Sequence, residues 1–121
     1  MTSLVFTAPE GSSAVLTGVL QDEDGNALAG SAVDQLTAYL TDEETGTVIN
    51  GRYAQDILGT NGGTLDAEGN LRLQLVAADN PFLGSRTELR HQMEIHVLRI
   101  DWEWGETGSG RARVRIAVEA A

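Results

Sequence analysis

The 121-residue chain carries 18 acidic and 8 basic side chains, giving a net charge of -10, and it has no cysteine. Disulfide stapling and thiolate metal sites are therefore excluded, and an acidic chain is a poor ligand for nucleic-acid phosphates. The length suits one domain built around a single core. No apolar run reaches the roughly 18 residues of a membrane span. The opening MTSLVFTAPEGSS lacks the basic and long apolar regions of a secretory leader, so synthesis in a cytoplasm is expected. All eight bases are arginine, and eight acids precede the first of them, Arg52.

The signals along the chain are those of strands. Leu4 to Thr7 is a short apolar run ended by Ala8-Pro9-Glu10-Gly11, which is turn chemistry. Ser13 to Leu20 (SAVLTGVL) reads as a buried strand and runs into QDEDGNALAG. Gln35 to Thr41 alternates, with Leu36, Ala38 and Leu40 on one face, and Asp42 to Gly46 turns it toward Thr47-Val48-Ile49. Turns recurring every 8 to 12 residues or so predict an all-β sandwich or barrel of about seven or eight strands. Residues 50–63 break that rhythm, and a short helix is expected near residues 52–58.

A tight turn at Asp66 to Asn70 follows, then a strand over Asn70 to Val76 with Leu71, Leu73 and Leu75 on one face. In HQMEIHVLRIDWEW the apolar parity changes: Met93, Ile95 and Val97 are odd, whereas Leu98, Ile100, Trp102 and Trp104 are even. A strand has period two, so the change predicts a β-bulge at Val97–Leu98, or a strand that leaves one core for a second surface. The final strand, Ala112 to Ala120, sets Val114, Ile116 and Val118 against Arg111, Arg113 and Arg115. A hairpin between these last two strands requires an even pairing sum, for example 103 with 111 and 101 with 113. Acids then face arginines across the ladder, each pair contributing about 0.2–1 kcal/mol.

Chemistry is harder to find. Measured from Asp22, the acidic turn offers Asp22, Asp24 and Asn26 at positions 1, 3 and 5 of a calcium loop. Position 6 is Ala27 instead of Gly and position 12 is Val33 instead of Glu, so the match stops halfway. Asp22, Asp24 and Asn26 stand as candidate metal ligands beside the simpler reading of a tight turn. His91 and His96 lie on opposite faces of one strand and cannot share a metal. GETGSG and GTNGG lack the spacing or lysine of a phosphate loop, and no GxSxG occurs. Nothing points to an enzyme or to a cofactor. The Trp102–Glu103–Trp104 step reads as a sheet-packing pair or as an interface anchor.

VLTGVLQDEDGNALAGSAV resembles the opening of many immunoglobulin-like bacterial and viral β-sandwich modules. More widely, LTAYLTDEETGTVINGR, the NGG-TLDAEGNLRLQL hairpin, AADNPF, RHQMEIHVLRIDWEW and RARVRIAVE together resemble small immunoglobulin-like virion proteins of tailed bacteriophages. The resemblance implies a non-enzymatic structural protein in the virion, as a capsid decoration or head–tail component, that self-associates and binds other virion proteins. It implies no nucleic-acid or membrane partner. One domain over 1–121, with residues 1–11 as an extended arm, is expected. Its contact residues would be Leu4, Val5 and Phe6 of that arm, Trp102 and Trp104, and Arg111, Arg113 and Arg115. A tail or baseplate component, or a carbohydrate- or surface-binding module assisted by Ca²⁺, is the competing reading.

Overall fold

Period-two patterning over most of the chain leaves each strand with one apolar face, and two sheets close over those faces. The structure, a computed structural model, describes the backbone of residues 2–9 and all of residues 11–81 and 93–119. The strands are β1 (Thr2–Pro9), β2 (Ala14–Val19), β3 (Val33–Asp42), β4 (Gln55–Asp56), β5 (Gly63–Leu65), β6 (Asn70–Leu75), β7 (Met93–Trp104) and β8 (Gly108–Glu119). One sheet runs β1-β8-β7-β3-β4 and the other β2-β6-β5. Only short 3-10 turns, Gly30–Ala32 and Ala77–Asp79, interrupt them among the described residues.

This order is that of an immunoglobulin-like sandwich. Strands β2, β6 and β5 take the places of B, E and D, and β3, β7 and β8 those of C, F and G. One departure matters. The first strand pairs in parallel with β8 along its whole length, Thr2 with Ala112 through Pro9 with Glu119, instead of covering β2. Residues 2–9, expected to extend as an arm, are thus part of the larger sheet.

The core is filled from both sheets by Leu36, Ala38, Leu40, Leu71, Leu73, Leu75, Leu98, Ile100, Ile116 and Val118, with Leu20, Leu28, Ile49 and Ile57 closing its ends. Each fully buried leucine or isoleucine side chain contributes about 1.5–3 kcal/mol.

Three expectations are corrected. No bulge lies at Val97–Leu98: β7 pairs with β8 without interruption from Met93–Glu119 to Trp104–Gly108. Even positions face inward along the strand, and the parity change arises because Glu94 and His96 occupy inward places. The irregularity in this sheet falls instead in β3, between Val33 and Gln35. Second, no helix forms over residues 52–58. Ala54 has φ +49°, which interrupts any right-handed run, and β4 follows at once.

Third, the β7–β8 register differs by two residues from the one expected: Asp101 faces Arg111, and Arg99 faces Arg113. Tryptophan decides it. Trp102 lies opposite Gly110 and Trp104 opposite Gly108, where a Cβ would fall inside the indole rings.

The two acidic turns have the same hydrogen-bond pattern. Asp22 N donates to Asn26 O at 2.9 Å and Gly25 N to Asp22 O at 3.0 Å, and the corresponding bonds at Asp66, Gly69 and Asn70 are 3.1 and 3.2 Å. Asp22 Oδ1 accepts from the amides of Asp24 and Asn26, as Asp66 Oδ1 does from those of Glu68 and Asn70. Gly25 and Gly69 supply the positive φ, +82° and +85°, at the fourth place of each. Asp66 is held below its ordinary carboxyl range mainly by the Asn70 side-chain amide.

Candidate interaction site

The displacement of β1 onto β8 leaves β2 with a neighbour on one side only, β6, among the described residues. An edge strand exposes a row of backbone donors and acceptors that can pair with another chain. Beside this edge, where the two sheets part, lies an apolar groove of about 210 Å³. Leu16 and Gly18 form one wall, Ala112 and Val114 the other, and the core side chains Leu98 and Ile100 the floor. Val15 and Val19 project from the opposite face of β2, 44% and 47% exposed. A Cβ at Gly18 would meet nothing within 4 Å. The edge can therefore take an added strand, and the groove its apolar side chains.

A second surface lies on the outer face of the larger sheet. Tyr39, Val97, Arg99 and Arg113, with Asp42 and Glu43 at one end, line a shallow depression of about 370 Å³, and Tyr53 stands over it at 66% exposure. The Arg99 guanidinium sits 3.9 Å from the Tyr39 ring centroid, and Tyr53 meets Tyr39 edge-on at 5.1 Å. Around it the arginines are unequally matched. Arg111 binds Asp101 in a fork at 2.8 and 3.1 Å, and Arg115 binds Glu43 at 2.8 Å through both nitrogens. These hydrogen bonds hold both guanidiniums above their ordinary pKa. Arg99 reaches the same Asp101 at 3.3 Å, and its Nε is buried with no partner. Arg113, exposed and directly opposite Arg99, has no acid partner among the described residues.

The contact residues named from the sequence are thus dispersed. Arg111, Arg113 and Arg115 share this outer face, as their spacing required. Trp102 is 8% exposed, packs in the core and donates its Nε1 to Gln21 O at 3.2 Å. Trp104 packs half-buried against the same core. Neither indole is free to stack on a sugar or a partner. Leu4, Val5 and Phe6 lie in β1, whose side chains are outside the described residues. Of the candidate metal ligands, Asp22 spends one oxygen on backbone amides, Asp24 is exposed, and Asn26 closes the turn through its backbone. His91 lies outside the described residues.

Two buried charge clusters went unread in the sequence. Arg52 and Asp79 form a forked pair, Nε to Oδ1 at 2.6 Å and Nη2 to Oδ2 at 3.0 Å, with side chains 5% and 0% exposed. Asn50 Nδ2 and Val76 N also donate to Asp79, at 2.9 and 2.7 Å. Burial pushes the Asp79 carboxyl up, but these donors together outweigh it and hold it below the ordinary value.

The other cluster joins His96, fully buried, to Glu94 Oε1 at 2.9 Å, with Asp42 Oδ1 at 3.9 Å across the β3–β7 ladder. The donor atoms of Asp42, Glu94 and His96 all lie within 4.8 Å of one another, close enough for one cation. Asp42 Oδ2 also accepts from the amide and hydroxyl of Thr45, which ties the cluster into the next turn. The parity change in β7 was the available signal for Glu94 and His96: two polar residues stood at inward positions.

The sheet order and edge pairing define an immunoglobulin-like β-sandwich. Among solved structures, the chain is similar to the periplasmic chaperone SfaE, with 14% identity and a TM-score of 0.45. That likeness covers 98% of this chain and 53% of the chaperone chain. No family model and no curated protein matches.

Proposed function

We propose that this chain is a non-enzymatic protein–protein interaction module and, more finely, a structural protein of a tailed-phage virion. Its place would be the capsid surface, as a decoration protein, or the head–tail region. The observation that carries the interaction reading is the free edge of β2 beside an apolar groove. Unpaired backbone groups and exposed core side chains are there offered together, which is what strand addition uses. The virion assignment rests on the sequence resemblance, which spans most of residues 2–119.

Quantitative mass spectrometry of purified particles tests both levels. The chain is expected at a fixed copy number per particle. Gly18→Glu, which puts a charge beside the groove at a position where a Cβ has open space, should abolish incorporation and leave the melting temperature unchanged. Absence of the wild-type chain from particles would defeat the virion reading. Incorporation that is indifferent to Gly18→Glu would remove the β2 edge as the contact.

A further inference from the structure

The two acidic turns are brought together at one end of the sandwich. Leu20 N donates to Gly69 O at 3.0 Å and Gly30 N to Ala67 O at 3.2 Å, so the Asp66–Asn70 turn packs against both flanks of the Asp22–Asn26 turn. Trp102 Nε1 ties Gln21 to the end of β7, which brings the loop carrying Glu106 to the same pole. Glu23, Asp24, Glu68 and Glu106 are all exposed there. On the outer face of the larger sheet, by contrast, Arg113 and Arg99 face each other across the ladder, and the one acid that Arg99 reaches, Asp101, is already held by Arg111.

We infer that the acidic pole of one copy docks into the Arg99–Arg113–Tyr53 depression of a second copy. Asp42 of the depression is buried and Glu43 is held by Arg115, so the Arg99–Arg113 side is complementary in charge to the acidic pole, and each surface has spare capacity. Arg113 has no acid among the described residues, and no base among the described residues pairs with Glu23, Asp24, Glu68 or Glu106. The depression also has the composition of a binding surface, with Tyr and Arg beside one small apolar floor. A carboxylate entering it gains charge-assisted hydrogen bonds from a planar guanidinium. Pole and depression are different patches of one chain, so the contact is heterologous and propagates head to face, closing as a ring or growing as a filament. This deepens the interaction reading above by naming a second copy as one partner, and it uses a surface separate from the β2 edge.

Sedimentation velocity of the purified full chain tests it. Association is expected at about 50 mM salt and should weaken strongly near 500 mM, as screening shortens the reach of the charges. Arg113→Glu should weaken association by roughly tenfold or more, because it sets like charges against the acidic pole. Glu23→Arg with Asp24→Arg should do the same. Combining the three substitutions should restore association, because the charge pairing is rebuilt in reverse. Each of these side chains lacks an ion-pair partner among the described residues, so folding is expected to be unaffected, and circular dichroism melting checks that.

A chain that stays monomeric at all salt concentrations overturns the inference. So does association unchanged by Arg113→Glu, or a triple variant that fails to recover. Gly18→Glu should leave self-association intact, which separates failure of this contact from failure of the β2-edge reading.

Discussion

The two ends of this sandwich use charge in opposite ways. At the pole of the acidic turns, Asp22 and Asp66 bond only to amides two and four residues on, and the remaining acids point into water. At the other pole, Arg52 and Asp79 are 27 residues apart and buried, and Asp42 meets Glu94 and His96 from another strand. At the exposed pole each of these carboxylates bonds within its own turn. The buried pole is made of long-range bonds that exist only once both sheets are in place. Charge that touches only its own turn shapes the backbone, whereas charge that crosses the core holds distant segments to each other.

That contrast can be broken at its strongest point first. Arg52→Ala leaves Asp79 buried without its guanidinium, and a loss of about 3–5 kcal/mol is expected, read as a lower denaturation midpoint in urea. A loss below about 1 kcal/mol, the range of surface ion pairs, would show that the pair behaves as if solvated.

Acid sharpens the comparison. The Asp79 carboxyl is held below its ordinary value of 3.8, so its contribution is fully present above that pH and is lost as the pH falls through the lower folded value. Unfolding free energy measured against pH should therefore decline below about pH 4. In Arg52→Ala the guanidinium that lowers the carboxyl is gone, so the Asp79 contribution should shrink and the acid decline should become shallower. An equally steep acid decline in both proteins would dissociate Asp79 from acid stability.

The smallest effects belong to the exposed pole. Asp22→Ala and Asp66→Ala each remove one side chain that accepts backbone amides, and each should lower the melting temperature by only a few degrees. Because the two carboxylates share no hydrogen-bond partner, the two losses should add. Thermal melts of the single and double variants check this, and clear non-additivity would mean that the packing between the turns couples them.

What was legible in the sequence follows the same division. Alternation in β3, β6 and β8 marked the inward residues, because period two is a local property. The turns were legible because an Asp, a Gly and an Asn at fixed offsets satisfy their own backbone. Arg52 and Asp79 gave no sign, since nothing local links Asn50-Gly51-Arg52 to Ala77-Ala78-Asp79. Glu94 and His96 did leave a mark, but a change of apolar parity fits a bulge as readily as a polar pair turned inward. Only the uninterrupted β7–β8 ladder separates the two. The free β2 edge was hidden for another reason: whether a first strand joins one sheet or the other is settled by pairing partners, which alternation does not encode.

The opposition of Trp102 and Trp104 to Gly110 and Gly108 has a further consequence for how the chain finds its structure. Sliding β8 by two residues along β7 keeps every apolar side chain on the inward face, so hydrophobic burial barely distinguishes the true alignment from its neighbour. In the slipped alignment Trp102 would face Ala112, and an indole would have to share its place with a methyl group. The paired glycines thus act as a keyway that accepts two rings at one setting only. Parity alone permits a family of hairpins two residues apart, and the shape of two tryptophans picks out one member.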